Sequence, residues 1–253
     1  MIYWKNAKQS LINVRMAVSI ILVFIILIRT FFVHDLFVLG KEMDVLTILT
    51  YPFAMSTFVP FACIFPILPY ALSYLEEKNS GYYSHIVLRC GIGKYVGNKI
   101  LFTGLSGGVS LAVPFAVLFI IADIIGQPTS EEYLPYMYME KIWAPYIFIW
   151  GGKLVLIMRL VLIFLFGVLW SEIALCLSLI VCNRYVAFIV PFVIYQILWM
   201  LVPGVMNPVG LFRADMDKVG SVTMLTPYLI QVIVITVMIA VNIILMRKRV
   251  SDE

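Results

Sequence analysis

The chain has 253 residues, of which 63% are apolar and 13% are charged, and its formal net charge is +4. Soluble domains are usually about half apolar and about a quarter charged, so this composition excludes an ordinary soluble protein and indicates an integral membrane protein. No polar segment is long enough to form a separate soluble domain, so we expect one transmembrane domain over residues 1–253. The four cysteines form no CxxC pair, and nothing in their spacing indicates a metal site or a disulfide framework.

Six apolar runs are long enough to cross a bilayer as helices, which takes roughly 20 residues each. Their approximate bounds are 16–33, 46–74, 100–125, 154–182, 185–205 and 228–246. Backbone groups in lipid must be hydrogen-bonded within the protein, and runs of this length favour helices over barrel strands. The first run begins only after Arg15 and has no small-residue cleavage site behind it, so we expect a retained spanning helix rather than a signal peptide.

The basic residues divide unevenly between the two sets of loops. One set holds Lys5, Lys8, Arg15, Lys78, Arg89, Lys94, Lys99, Arg184, Arg247, Lys248 and Arg249. The opposite set holds Lys41, Lys141, Lys153, Arg213 and Lys218. Positive loops face the cytoplasm, so we expect a multi-pass protein of the cell membrane with both termini inside. Because these charges fall where topology requires them, we expect no nucleic-acid partner.

Three segments outside the spans are predicted to form short helices. Apolar residues recur at helical spacing over residues 1–15, which predicts an amphipathic elbow helix in contact with membrane lipid. Residues 128–132 read Pro-Thr-Ser-Glu-Glu, as at a helix N-terminus. Residues 203–227 combine prolines and glycines with apolar residues, which predicts re-entrant helices on the outer side before the last span.

Prolines and charges inside the spans indicate a substrate pathway. The second run contains Pro52, Pro60, Pro66 and Pro69. Kinked helices often line cavities, so we assign Pro60 and Pro66 to the pathway. Arg159 and Glu172 lie within the fourth run, where an unpaired charge costs several kcal/mol. They are about 20 Å apart along one helix and cannot pair with each other, so both are assigned to the pathway, with a structural polar pair as the alternative.

Residues 104–108 match G-x-S-x-G and suggest a serine hydrolase, such as an intramembrane protease. The chain has two histidines, His34 and His85, and both are predicted to lie outside the spans. We therefore interpret these small residues as a close-packing helix face. The chain has neither an HExxH pair nor a GxxxxGK phosphate loop, so we expect no metal and no cofactor of its own.

The largest polar insertion is residues 76–99, EEKNSGYYSHIVLRCGIGKYVGNK. A Ser80-Gly81 break predicts the start of a short helix over residues 82–90, and Gly91 begins a second break. Such a helix can lie along the membrane and present one side to a partner. We expect its apolar contacts to come from Tyr83, Ile86, Val87 and Cys90. A hairpin tip without a partner is the alternative.

This segment resembles the corresponding segment of the ABC-2 type permeases. The shared features are the acid pair, the Ser-Gly break, the short helix and the lysine at the start of the third span. Glu77, Lys78, Gly81, Ile86, Val87, Tyr95 and Lys99 fall on the family pattern. The usual proline of the second break is replaced by Cys90-Gly91. The resemblance implies six transmembrane helices, with residues 82–90 as the coupling helix that binds an ATPase. The coupling residues would be Glu76, Glu77, Gly81, Tyr82, Tyr83, Ile86, Val87, Arg89 and Lys94.

By this resemblance the chain is the permease subunit of a bacterial exporter, similar to lantibiotic or bacitracin immunity permeases. Its partners would be two copies of a nucleotide-binding subunit, which bind ATP and magnesium, and a second permease, identical or homologous. The cargo would be amphipathic, such as a peptide antibiotic or a lipid-like molecule. The alternatives are an ATP-independent carrier or assembly subunit, with Glu172 as the proton site of a carrier, and the intramembrane serine protease.

Overall fold

The structure, a computed structural model, describes residues 10–127, 141–213, 217 and 222–251. Over these residues the chain is almost entirely helical and contains no β-strand, only two isolated bridges. The predicted all-α class is therefore confirmed for the described part of the chain. Most of the predicted elbow (residues 1–9) and the predicted helix start at 128–132 lie outside the described residues.

Within the described part of the chain, five helices are long and apolar enough to cross a membrane, so the chain is a multi-pass membrane protein. In chain order the helices are α1 Val14–Val33, α2 Leu36–Leu39, α3 Val45–Met55, α4 Ser73–Asn79, α5 Tyr82–Cys90, α6 Ile92–Ile125, α7 Ala144–Trp150, α8 Gly152–Val181, α9 Arg184–Leu201, α10 Pro208–Arg213 and α11 Leu225–Ser251. The five long helices are α1, α6, α8, α9 and α11. Each overlaps one of the predicted apolar runs, although α6 begins eight residues before its run and α9 ends four residues short of the predicted end at residue 205.

The remaining predicted run, residues 46–74, is not a continuous helix, so that part of the prediction is wrong. After α3 the chain forms two 3-10 turns, Val59–Phe61 and Phe65–Ile67, before it reaches α4. Pro60 and Pro66 lie within these turns. Proline lacks a backbone donor and its ring clashes with the preceding helical turn. Closely spaced prolines therefore break the helix here rather than only kinking it.

Residues 44–77 nevertheless follow α6 from its Ile125 end to Lys99, about two turns from its start at Ile92. At one end the Val45 amide donates to the carbonyl of Gln127 over 3.1 Å. At the other end the Glu77 carboxylate lies 2.7 Å from the Lys99 ammonium. Residues 99 and 125 are about 39 Å apart along a helix that rises about 1.5 Å per residue. This irregular segment therefore covers roughly the same distance as a membrane-spanning helix.

The centre of the bundle is the contact between α6 and α8. Gly107 of α6 faces Gly167 of α8 so closely that a Cβ on Gly107 would lie 2.6 Å from the Gly167 carbonyl oxygen. A Cβ on Gly108 would lie 2.5 Å from the ring of Phe164. Small residues allow two membrane helices to approach this closely. The close-packing face predicted around residues 104–108 is confirmed.

The short helices predicted before the last span are present as a 3-10 turn at Gly204–Met206 and as α10. The Gln231 side-chain amide of α11 donates to the Leu211 carbonyl over 2.8 Å and so holds α10 against the bundle. Their depth in the membrane remains a prediction.

Gly107→Ala is expected to lower the free energy of unfolding by about 1–3 kcal/mol, because the added methyl group has no space against α8. The matched control is Gly97→Ala in the same helix, where a Cβ would meet nothing within 4 Å. That change should be neutral or stabilising by up to about 1 kcal/mol. Thermal unfolding of the detergent-purified chain measures both. Equal stability of the two variants would contradict the observed packing.

Candidate functional site

Two glycines delimit α5 from its neighbours. Gly81 precedes it with φ +70° and Gly91 follows it with φ +79°, a left-handed region in which residues with side chains are strained. The Ser84 hydroxyl donates to the Gly81 carbonyl over 3.1 Å at the start of the helix. At its end the Gly91 amide donates to the Val87 carbonyl over 2.8 Å. The breaks read from the sequence therefore match the bounds of this helix.

The side of α5 that we expected to bind a partner packs on the protein itself. Tyr83 is only 7% exposed, and its ring lies edge-on to those of Tyr74 and Tyr95, with centroids 6.2 and 5.6 Å away. Ile86, Val87 and Cys90 are half-buried against the same cluster. The four apolar residues follow the helical period toward α4 and α6. They anchor α5 to the bundle.

The opposite side of α5 is exposed. We call Ser84, His85, Leu88 and Arg89 the α5 outer face. Leu88 is 84% exposed, and Tyr82 beside this face is 44% exposed. Lys94 is also exposed, in the first turn of α6. An apolar side chain between a histidine and an arginine gives this face the mixed character typical of the edge of a protein interface.

A buried ion pair lies beneath α5. Lys99 is 2% exposed, and its ammonium lies 2.7 Å from one oxygen of Glu77. The Tyr95 hydroxyl donates to the other oxygen of Glu77 over 2.7 Å. The Lys99 ammonium also lies 4.6 Å from the centre of the Tyr70 ring, close enough for a cation–π contact. Tyr95 and Lys99, the two residues that contact the Glu77 carboxylate, both lie on α6. This helix begins at Ile92, about two turns before the predicted start of the span at residue 100.

The neighbouring carboxylate, Glu76, contacts different elements. It lies 2.7 Å from the guanidinium of Arg15 in α1 and 3.8 Å from that of Arg184 in α9. The sequence placed all three residues in the same set of loops, but spacing alone gave no indication that they meet. Glu76 and Glu77 together connect α4 to α1, α9 and α6.

Arg159 is buried near the Gly152 end of α8, at the other end of the bundle from the Glu77–Lys99 pair. Its side chain donates to the Arg213 carbonyl through Nε and Nη2 over 3.2 and 3.0 Å. The guanidinium carbon lies 5.9 Å from the centre of the Trp143 ring. These contacts hold α10 and the segment before α7 against α8, and they satisfy a charge that is costly within a span.

Glu172 is 1% exposed and its polar partner comes from α11. The Asn242 side-chain amide donates to one Glu172 carboxylate oxygen over 2.8 Å and to the Glu172 carbonyl over 3.0 Å. The other carboxylate oxygen lies against Gly104 of α6, where a Cβ would be 3.1 Å from it. Sequence reasoning missed Asn242, although an amide in an otherwise apolar span was a usable signal. The structure therefore places Glu172 in a polar pair inside the bundle.

Of the two prolines assigned to the pathway, Pro60 lies against α9, and the turn that holds Pro66 packs mainly on α6 and α8. The Pro60 carbonyl accepts a hydrogen bond from the Gln196 side chain over 2.9 Å, and Pro66 is buried. Two cavities of about 480 and 380 Å³ lie at the end of the bundle where Glu77 meets Lys99. Neither is lined by Pro60, Pro66, Arg159 or Glu172.

Ser106 is fully buried, and its hydroxyl donates to the Thr103 carbonyl of its own helix over 3.0 Å. His34 caps the far end of α1, and His85 lies on the α5 outer face. The geometry brings neither imidazole to this serine.

No protein-family model matches the chain, and comparisons with curated proteins and with solved structures returned no match either. Its function is therefore inferred from its own residues.

Glu77→Gln is expected to destabilise the chain by about 3–5 kcal/mol, because it leaves the buried Lys99 ammonium without its counter-charge. Adding Lys99→Met should restore part of that stability, since the unpaired charge is then gone. Glu42→Gln, at an exposed position, is the control and should change little. Thermal unfolding in detergent measures all four proteins. A Glu77→Gln variant as stable as Glu42→Gln would show that the pair is not formed.

Proposed function

We propose that this chain is the membrane permease subunit of an ATP-binding cassette exporter, driven by separate ATPase subunits. The observation that carries the proposal is α5, a short helix between two left-handed glycines, with one face exposed and the other anchored to α4 and α6. The same residues give the sequence its resemblance to the ABC-2 permeases.

The proposed topology has six crossings, with residues 44–77 as the second. Arg15, Glu76, Arg184 and Lys99 meet at one end of the bundle. The end of α11 lies there too, since Arg249 donates to the Leu179 carbonyl over 3.2 Å. The excess of basic residues at this end supports a cytoplasmic position for it and for both termini.

In the proposed mechanism the ATPase binds the α5 outer face, with Tyr82 and Arg89 at its edge and Gly81 as the hinge. Tyr83, Ile86 and Val87 then act as inner anchors rather than as docking contacts. ATP and magnesium are bound by two partner subunits, and closure of those subunits displaces α5. Because Tyr83 packs on Tyr74 of α4 and Tyr95 of α6, the displacement moves both helices.

In the proposed mechanism the displacement of α5 passes into the bundle through α6. α6 is a single helix from Ile92 to Ile125, with Pro114 inside it, and packs along α8 through small residues. Small residues let the two helices approach closely, so a movement of α6 is transmitted directly to α8. We propose that a second permease, identical or homologous, completes the pathway for a peptide antibiotic or a lipid-like molecule.

Leu88→Asp is expected to reduce co-purification of the chain with a co-expressed candidate ATPase subunit by roughly tenfold or more, because the carboxylate is desolvated at the interface. The matched control is Asn79→Asp, which adds the same charge at an exposed position of α4. Both variants should unfold at the wild-type temperature. Unchanged co-purification and unchanged ATP turnover in Leu88→Asp would remove the docking role of this face.

The competing proposal is an ATP-independent carrier that uses Glu172 as its proton site. It is favoured by the burial of this carboxyl group within the bundle. Glu172→Gln separates the two, because its side-chain oxygen still accepts from Asn242 while the titratable group is lost. The permease proposal expects ATP-dependent protection of cells against a peptide antibiotic to be retained. Loss of transport in a variant that folds normally and keeps its ATPase would favour the carrier.

A further inference from the structure

A cleft of about 380 Å³ opens between α1 and α9, beside the Glu76 cluster. Its walls are apolar, and its rim carries two guanidinium groups. The lining residues are Arg15, Leu68, Leu72, Arg184, Tyr185, Phe188 and Ile189. We propose that this cleft is a binding site for one anionic phospholipid, with the phosphate on Arg15 and Arg184 and an acyl chain along the apolar wall. The proposal does not depend on the ATPase.

The charge at the rim favours an anion. Arg15 and Arg184 share a single carboxylate, that of Glu76, because the neighbouring Glu77 pairs with Lys99. Arg184 lies 3.8 Å from the nearest Glu76 oxygen, beyond hydrogen-bonding distance, and its side chain is 58% exposed. A guanidinium has five N–H donors and binds phosphate oxygens in a fork. The cluster therefore carries one excess positive charge and has donors for a phosphate.

The shape of the cleft favours a chain over a free ion. Leu68 and Leu72 come from the irregular segment before α4 and form its floor, while Phe188 and Ile189 of α9 form one wall. The wall continues along α9 through the exposed Val193 and Ile197, spaced four residues apart on the same side of the helix. An acyl chain that follows this stripe points away from the charged rim, as in a phospholipid.

A second copy of this chain is the other occupant to consider. Two identical subunits related by a two-fold axis present the same surface to each other, so both would bring a basic rim. Like charges across an interface disfavour that pairing, whereas an anionic headgroup neutralises the rim. Charge complementarity therefore selects the lipid.

The test compares lipids retained by the full chain in native mass spectrometry, after purification from mixed micelles of phosphatidylglycerol and phosphatidylcholine. The wild-type chain should retain one phosphatidylglycerol in preference to phosphatidylcholine. Arg15→Gln with Arg184→Gln should lower that preference at least about fivefold, while the equally charged control Arg89→Gln with Arg247→Gln should keep it within about twofold. An equal loss in both pairs would overturn the site.

A second variant covers the case in which the double arginine change unfolds the chain. Ile189→Trp keeps both guanidinium groups and fills the cleft, so the proposal expects it to release phosphatidylglycerol. Retained lipid in this variant contradicts the cleft as the site. Displacement of the lipid by inorganic phosphate, at ionic strength matched with chloride, would mean a phosphate-ion site instead. If Ile189→Trp converts a dimer to a monomer and leaves the amount of retained lipid unchanged, the cleft binds a second copy of the chain instead of a lipid.

Discussion

A backbone carbonyl that leaves a helix inside a membrane must find a donor within the protein, and this constraint organises the bundle. Part of residues 44–77 forms 3-10 turns instead of a continuous helix, and side chains of the neighbouring helices donate to its carbonyls; those of Val59 and Phe65 also accept a backbone amide of their own turn. Four side chains donate to backbone carbonyls of this segment. The Asn13 amide donates to Pro69 and the Ser19 hydroxyl to Phe65, while the Tyr195 hydroxyl donates to Val59 and the Gln196 amide to Pro60. Two of these donors belong to α9 and two lie in or next to α1. The broken segment thus ties α1 to α9 and forms the floor between them.

The path of this segment also determines where its charged end lies. Because residues 44–77 follow α6 to its Lys99 end, α4 arrives with Glu76 and Glu77 between three long helices. Successive residues of a helix point about 100° apart, so the two carboxylates face different neighbours. Glu77 enters the buried side, where Tyr95 and Lys99 compensate its desolvation. Glu76 remains at the periphery, where Arg15 and Arg184 are partly exposed.

Some of this could be predicted from the sequence because the signal is local. The five long helices follow from the length of their apolar runs, and the bounds of α5 follow from Gly81 and Gly91, whose conformation is specified within one or two residues. The prediction of a continuous helix over residues 46–74 is wrong because apolar content alone does not distinguish a helix from closely spaced 3-10 turns. Pro60, Pro66 and Pro69 carry that information, but the same prolines are also compatible with a kinked helix.

The contacts between helices were beyond sequence reasoning for a different reason. A helix that is apolar on every side, such as α8 or α11, has no polar face to indicate its orientation. The pairing of Glu172 with Asn242 depends on that orientation, and so does the position of Arg159 under α10. On α5 the apolar residues were identified correctly, but the same residues suit a partner or the protein's own core. Only the position of the tyrosine rings on α4 and α6 decides between them.

The anchoring of α5 has a mechanical consequence for the proposed permease. A docking helix connected only by flexible loops would move without displacing the bundle. In contrast, the Tyr83 ring packs α5 against Tyr74 and Tyr95 on its inner side. Its two glycines allow it to tilt, and the buried Glu77–Lys99 pair resists separation of α4 from α6, because pulling it apart would leave both charges desolvated. Tilting of α5 is then accommodated by α4 and α6 moving together. At Gly107 and Gly108 the Ser171 side chain and the Phe164 ring of α8 pack directly on α6, so a displacement of α6 is passed on to α8.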